Sequence, residues 1–379
     1  MKRVRLQDVA DKAGVAVNTA SVILNNRSYC WASQATQERV FHAAEELGYR
    51  ASKAAVGIRL GKFHNIGVVL PDLENPHYMA SARLLEAEAQ ERGYDLLIEH
   101  SRMDLSREAS CLENIFERQV DGVIWHAIDA VAHLPLLERM WRRGLPMVVL
   151  TAKPSRPLPA DSITVDFDNG IRAALKHLAS LGHRKIGFVS SLAVGQSDGG
   201  RLNLFAALAR LENLIFRDDW MITTDHRIPR VQEAFERALK LWGDVRPTGV
   251  ICLNDMAAIA VIRGAKVSGL RVPGDLSVIG IDDIPLAAFL TPTLTTIRQP
   301  AGEIARAAVH QLLTRIESDD FPPPVHSDFP SSLMVRESTA PHRLRSRGRT
   351  QSRERGGLDV AQKRVDAIAK TLPSGGPGC

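Results

Sequence analysis

Apolar residues recur at helical spacing in three short runs within the first 48 residues, at about 6–13, 17–24 and 35–47. Gly14 interrupts the pattern after the first run, and Gly48 ends the third. The first two runs are too short to be stable helices alone. Their pairing through one tight turn predicts a helix-turn-helix head, a motif whose second helix enters the major groove of DNA.

From Asn65 onward, short apolar strands alternate with amphipathic helices in two successive series. The strands of the first series are IGVVLP (66–71), DLLIE (95–99), DGVIW (121–125) and PMVVL (146–150). Those of the second are ITV (163–165), KIGFVS (185–190) and segments near 220–223, 248–252 and 277–281. This alternation predicts two doubly wound lobes built on parallel sheets. We expect lobe 1 at about 62–161 and 293–325, and lobe 2 at about 162–292 and 326–342.

Charge divides the chain into three parts. The formal net charge of +5 consists of +4 over residues 1–60, −5 over 61–342 and +6 over 343–379. Basic ends on an acidic centre favour a polyanionic partner such as nucleic acid. Residues 343–379 are rich in Arg, Ser and Gly, which predicts a disordered basic tail.

Several classes of protein are disfavoured by composition. No apolar run approaches the length of a membrane span, and the first residues lack the apolar core of a secretory signal. The four cysteines have neither metal-binding nor disulfide spacing, so we expect reduced thiols, a cytoplasmic protein and no cofactor.

Specific motifs resemble the lactose-repressor (LacI/GalR) family of bacterial transcription regulators. They are DVADKAGV (8–15), DGVIW (121–125), LGHRKIGFV (181–189), CLNDMAAIAV (252–261) and VREST (335–339). The resemblance runs from about residue 4 to about 340. It implies a helix-turn-helix domain at 1–48, a hinge at 49–61 and a two-lobed, periplasmic-binding-protein-like sensor at 62–342. The function it implies is a repressor that binds a near-palindromic double-stranded DNA operator as a homodimer, under control of a sugar or related polyol.

The resemblance also implies the DNA-binding residues. Val17 and Asn18 match positions that read base edges, and the chemistry agrees because an Asn side chain can bridge adenine N6 and N7. Phosphate contacts are implied for Thr19, Ser21 and Asn25, which would fix the register on the duplex. Ile58 in the hinge matches the apolar wedge that unstacks a base step in the minor groove. A plain flexible linker at 49–61 is the alternative.

The effector site is implied in the same way, between the two lobes. The matching positions are Asp72, His77, Tyr78, His126, Thr151, Arg201, Asn254, Asp282 and Gln299. Carboxylate, guanidinium and amide groups with one aromatic face suit a small polyhydroxylated molecule. For single residues other roles stay open: Asp282 could cap a helix, and His126 could be a buried core histidine.

Two other functions are compatible with parts of the sequence. GQSDG (195–199) matches the G-x-S-x-G pattern of a hydrolase, which would make Ser197 a nucleophile. The residues LAV (192–194) stand between the preceding strand and this motif, whereas a nucleophile elbow turns at the strand's end, so we expect a non-enzyme. A two-lobed small-molecule-binding protein without operator control is the second alternative. It would need an export signal and would lack residues 1–60.

Overall fold

The structure is a computed structural model that describes residues 4–24, 31–50, 57, 61–191, 199–225, 227–318, 320 and 322–342, with backbone only at 191 and 199–202. Asn25, Ile58 and Ser197 lie outside the described residues, as do most of the expected hinge and the basic tail. None of the described helices is long and apolar enough to cross a membrane.

The helices and strands are labelled in chain order. They are α1 (Leu6–Ala13), α2 (Val17–Leu24), α3 (Gln34–Glu46), β1 (Asn65–Leu70), α4 (Pro76–Gln90), β2 (Asp95–His100), α5 (Leu105–Glu117), β3 (Gly122–His126), α6 (Leu134–Arg142), β4 (Met147–Ala152), β5 (Asp161–Asp166), α7 (Phe167–Ser180), β6 (Ile186–Ser191), α8 (Gly199–Leu211), β7 (Met221–Thr224), α9 (Ile228–Trp242), β8 (Gly249–Cys252), α10 (Asp255–Val267), β9 (Ser277–Asp282), β10 (Thr295–Arg298), α11 (Ala301–Glu317), β11 (His326–Pro330) and β12 (Ser332–Met334).

Helices α1 to α3 form a small head with its own apolar core. The core side chains are Val9, Ala10, Ala13, Ala20, Ile23, Val40, Ala43 and Ala44. Gly14 ends α1 with φ of +66°, a left-handed conformation that glycine adopts without steric cost and that permits the tight turn into α2. An ion pair between Lys12 and Glu46 joins α1 to α3. The predicted helix-turn-helix is therefore confirmed.

Two six-stranded sheets carry the rest of the described chain. The order of the first is β11-β5-β4-β3-β1-β2, with every pair parallel. The order of the second is β12-β10-β9-β8-β6-β7, parallel except for the antiparallel pair β10–β12. Strands such as Ile66–Leu70 are buried along their length because helices cover both faces of a parallel sheet. The predicted two-lobed α/β body is confirmed.

The expected lobe boundaries are wrong. Strand β5 pairs with β4, so residues 162–166 belong to lobe 1. Strand β11 pairs with β5 and also belongs to lobe 1, whereas β10 pairs with β9 in lobe 2. A strand belongs to the sheet that pairs its backbone groups, and such pairing joins residues far apart in sequence. Within the described residues the chain thus crosses between the sheets after β5, after β10 and between β11 and β12.

A buried ion pair fixes the stretch that returns from α11 to the first sheet. Arg315 binds Asp161 through two hydrogen bonds of 2.7 Å, and the two side chains are 3% and 1% exposed. The guanidinium lies 4.6 Å from the ring centroid of Trp141 and also donates to the carbonyls of Pro322 and Pro323. This bidentate geometry, with further acceptors, is what a desolvated arginine requires.

We expect the substitution Arg315→Met to lower the free energy of unfolding of the full chain by about 3–5 kcal/mol, because it leaves Asp161 buried without its cation. Urea denaturation measures the loss. The control is Arg230→Met, which breaks an exposed pair with Glu233 and is expected to cost less than about 1 kcal/mol. Equal losses in the two variants would contradict the assignment.

Candidate functional site

A cavity of about 240 Å³ lies where the carboxyl ends of strands from both sheets meet. This edge of a doubly wound sheet is where ligands bind, because neighbouring loops and helix N-termini converge there. The volume is below the roughly 300–1,000 Å³ of sites for drug-sized molecules, so it fits a smaller ligand. Both polar and apolar side chains line it; the apolar ones include Leu150, Ile163, Val165, Phe167, Leu253 and Ile304.

The lobe 1 wall is built at the start of α4. Asn75 caps the helix, because its side-chain oxygen accepts a hydrogen bond of 3.0 Å from the backbone N–H of His77, and Pro76 occupies the first helical position. The cap places the rings of His77 and Tyr78 at the cavity with centroids 5.2 Å apart. Tyr78 also meets His126 edge-on at 5.8 Å. The wall is therefore a cluster of three rings.

His126, the last residue of β3, is held as a neutral imidazole. Burial lowers its pKa to about 3, and the nearby His77 adds to the shift. Its Nε2 lies 2.8 Å from the hydroxyl oxygen of Ser81. A neutral ring offers one donor and one acceptor, so this part of the wall recognises hydrogen-bonding groups rather than an anion.

Asp282, at the end of β9, forms the opposite wall and faces side chains of lobe 1. Its Oδ1 accepts a hydrogen bond of 2.7 Å from Gln299 and lies 3.9 Å from Nδ1 of His77. Its Oδ2 lies 3.5 Å from Nδ2 of Asn75. The φ angles of Asp282 and Asp283 are +117° and +53°, a conformation that costs on the order of 1–3 kcal/mol for each non-glycine residue. Such strain is typical of functional sites.

A second carboxylate lies directly behind this loop. Asp255, the first residue of α10, is fully buried. Its Oδ1 lies 2.5 Å from the hydroxyl of Thr296, and its Oδ2 accepts a hydrogen bond of 2.8 Å from the backbone N–H of Ile284. Burial, with repulsion from Asp282 as the next cause, raises the pKa of Asp255 to about 8. At neutral pH the group therefore carries its proton.

The negative charge of Asp283, the residue that follows Asp282, is compensated by two arginine side chains instead. Asp283 accepts hydrogen bonds of 2.6 Å from both Arg298 and Arg336.

On the neighbouring helix, Asn254 caps α10 by accepting a 2.8 Å hydrogen bond from the N–H of Ala257. Within the described part of the chain, no three His, Cys, Asp or Glu side chains are placed to hold a metal ion.

Comparison with known proteins gives the family. The profile described as "Bacterial regulatory proteins, lacI family" matches residues 5–52, and the profile described as "Periplasmic binding protein-like domain" matches 175–339. A transcriptional repressor, PurR of Aliivibrio fischeri (strain ATCC 700601 / ES114), is 32% identical over 341 residues, which is 90% of this chain and 99% of that protein. The chain belongs to the lacI family of bacterial regulatory proteins. It is a DNA-binding transcriptional regulator with an effector-binding domain.

Solved structures of lacI-family proteins share the fold. A lac repressor dimer bound to operator and the anti-inducer ONPF has a TM-score of 0.76 at 24% identity, covering 89% of this chain and all of that one. A family member from Enterococcus faecium with bound ribose has a TM-score of 0.63 at 27% identity, covering 74% of this chain and all of that one.

The structure brings most of the expected effector residues of this lacI-family chain to one place. The residues that line the cavity are Asp72, His77, Tyr78, His126, Thr151, Asn254, Asp282 and Gln299. The side chain of Arg201 is outside the described residues. Sequence reasoning missed Asn75, Ser81 and Arg227 as lining residues. Ser81 follows His77 by one helical turn, a spacing that could have indicated it.

The expected DNA-reading residues of the lacI-family head lie on α2. Asn18 is exposed, and Val17 and Thr19 are half-buried. Ser21 differs, because only 9% of its surface is exposed and it lies beside the core of the head. The outer surface of α2 is therefore formed chiefly around Asn18.

The high pKa of Asp255 predicts a pH-dependent stability. The pKa of Asp255 in the folded chain, about 8, lies above its ordinary value of 3.8. The contribution of this group to the free energy of unfolding is therefore full below about pH 4 and is lost as the pH rises toward 8. Asp255→Asn preserves both hydrogen bonds without the charge. We expect its free energy of unfolding, relative to the natural chain, to rise by up to about 1.4 kcal/mol per pH unit across this window.

Urea denaturation of the full chain at pH values from 5 to 9 makes the measurement. The exposed Asp244, in the same lobe, supplies the control Asp244→Asn, for which a profile parallel to the natural chain is expected. Parallel profiles for Asp255→Asn as well would show that the buried carboxyl does not titrate in this range.

Proposed function

We propose that this chain is a cytoplasmic repressor that binds a near-palindromic operator as a homodimer and releases or tightens it when a small polyol enters the cleft. The observation that carries the proposal is one cavity lined by polar side chains of both lobes, in a chain that begins with a helix-turn-helix. No chemical step on the bound molecule is part of this function.

The head supports operator binding. A three-helix unit offers too small a contact for useful affinity alone, and two-fold symmetry doubles it. Val17 and Asn18 would read base edges, while Thr19, Ser21 and Asn25 would fix the register. The segment at 49–61 would act as a hinge that inserts Ile58 into the minor groove. The basic tail at 343–379 would add non-specific, salt-dependent attraction to DNA.

The cavity supports a neutral, hydroxyl-rich effector. Asp72 and Asp282 accept hydrogen bonds from hydroxyl groups, Gln299 and Asn254 can both donate and accept, and the rings on α4 offer an apolar face. Thr151, His126 and the guanidinium of Arg201 would complete the contacts. The volume of about 240 Å³ suits one sugar ring, and the relative from Enterococcus faecium holds ribose.

Effector binding would be coupled to operator binding through the segments of chain that cross between the two lobes. A ligand that contacts both lobes changes their relative angle, because the three crossing segments are the described covalent links between them. In the homodimer this would change the spacing of the two heads, with a coupling free energy of about 1–3 kcal/mol between effector and operator. Linkage makes the effect reciprocal, so operator DNA must change effector affinity by the same factor.

A thermal-shift screen of the full chain against neutral sugars, sugar acids and nucleosides tests the effector. We expect a neutral sugar to stabilise the protein by about 2.7 kcal/mol at one hundred times its Kd. Asp282→Asn removes a charged hydrogen-bond acceptor and should lower the affinity for that sugar by at least about tenfold, whereas Asp244→Asn should leave the affinity unchanged. A sugar acid as the sole stabilising compound would contradict the proposed class of effector.

The operator contact is tested by Asn18→Ala. Loss of an amide that bridges adenine should cost about 1–3 kcal/mol in affinity for the selected operator and leave binding to random duplex unchanged. Gel-shift titration at fixed salt measures both. Gln7→Ala, which removes an exposed amide from α1, is the matched control. Equal losses on operator and random DNA would mean that Asn18 does not read sequence.

A further inference from the structure

The loop that carries Asp282 rests on the buried carboxyl group of Asp255. One oxygen accepts the N–H of Ile284, two residues beyond Asp282, and the other contacts the hydroxyl of Thr296 on β10. That hydroxyl in turn lies 3.3 Å from the backbone N of Asp283. A Cβ atom added at Gly280 would overlap a side-chain oxygen of Asp255, so β9 passes too close for any side chain there. Asp255 therefore holds the loop from beneath.

The charges around Asp255 are unevenly compensated. The titratable groups that interact with Asp255 are Cys252 of β8 and the pair Asp282 and Asp283 at the end of β9. The charged or titratable groups that contact this pair are Arg298 of β10, Arg336 after β12 and His77 of α4. Both arginines bind Asp283. Among the described residues, no cation binds Asp255. A buried carboxylate without a cation, beside two others, is costly unless it takes up a proton.

We propose that Asp255 is a positioning residue that acts in its protonated form, holding Asp282 in place to accept the effector. This inference rests on the proposed function, in which Asp282 contacts the bound molecule. In the protonated form, Oδ1–H of Asp255 donates to the hydroxyl oxygen of Thr296, while Oδ2 accepts the N–H of Ile284. When the proton leaves to solvent, the Thr296 hydroxyl turns to donate to Oδ1, and a second negative charge remains buried beside Asp282.

The consequence is a pH-dependent cleft. Below pH 8, one proton on Asp255 lets Asp282 carry the negative charge that hydroxyl groups of an effector need. Above that pH, repulsion between the two carboxylates displaces the strained Asp282–Asp283 pair, which has little conformational preference of its own for the observed φ values. Effector binding is therefore expected to weaken in alkaline solution.

Hydrogen exchange of the full chain between pH 6.5 and 9.5 tests the positioning role. After correction for the intrinsic exchange rate, we expect the protection of the Ile284 amide in the natural chain to fall by up to about tenfold per pH unit as the pH rises toward 8, and to level off above that pH. In Asp255→Asn the protection should stay constant, because the amide retains the geometry without the charge. In Asp255→Ala it should be low at every pH. Constant protection in the natural chain, or a fall in Asp255→Asn that matches it, would overturn the proposal.

Two further measurements separate this inference from the proposed function. Infrared difference spectra should show a protonated carboxyl band at pH 6.5 that disappears at pH 9.5 and is absent from Asp255→Asn; its persistence in that variant would assign the proton elsewhere and overturn the proposal. With D-ribose as the probe, affinity should fall above pH 8 in the natural chain but not in Asp255→Asn. A lack of ribose binding at every pH would count against the proposed effector and leave the exchange and infrared results to decide the role of Asp255.

Discussion

The site depends on one constraint, which is that the chain repeatedly passes between two sheets at the same edge. After β5 and after β10 the chain leaves one sheet near the cleft, and between β11 and β12 it changes sheet within two residues. The parallel strands of both sheets therefore end at a common cavity. Side chains at the ends of strands in different sheets, such as His126 and Asp282, come to line it together.

Three acidic side chains at the end of the second sheet offset the free-energy cost of a buried charge in three different ways. Asp283 is neutralised by two guanidinium groups, and Asp282 contacts amide and imidazole groups from both lobes. Asp255 has its charge removed by a proton. Because the charges of Asp282 and Asp283 both act on Asp255, the three groups limit one another. If an arginine paired with each of the three carboxylates, no carboxylate oxygen would remain to accept a hydrogen bond at the cleft. If all three charges were uncompensated, their repulsion would displace the loop.

Local chemistry explains which features could be read from the sequence. Gly14 and the Asn75–Pro76 pair mark helix ends through their own conformational preferences, so the short head helices and the start of α4 were predictable. Alternating apolar strands and amphipathic helices gave the two-lobed α/β architecture. The residues proposed for the effector site came from the family resemblance, and the structure places eight of them around one cavity.

Long-range pairing explains what was missed. Whether β5, β10 and β11 belong to one sheet or the other depends on hydrogen bonds to strands far along the chain, which no local pattern reports. The same holds for Asp255. In the sequence it is an ordinary acidic residue at the start of a helix, and only the approach of Gly280 and Thr296 shows that it is buried among other carboxylates.

The last two strands have a consequence for how the molecule is made. β11 completes the edge of one sheet and β12 the edge of the other, and both come from residues 326–334. Neither lobe is a continuous stretch of chain, so a ribosome must release the chain through residues 326–334 before either sheet can gain its final strand. Synthesis from the N-terminus thus frees the DNA-binding head long before the part that senses small molecules can finish folding.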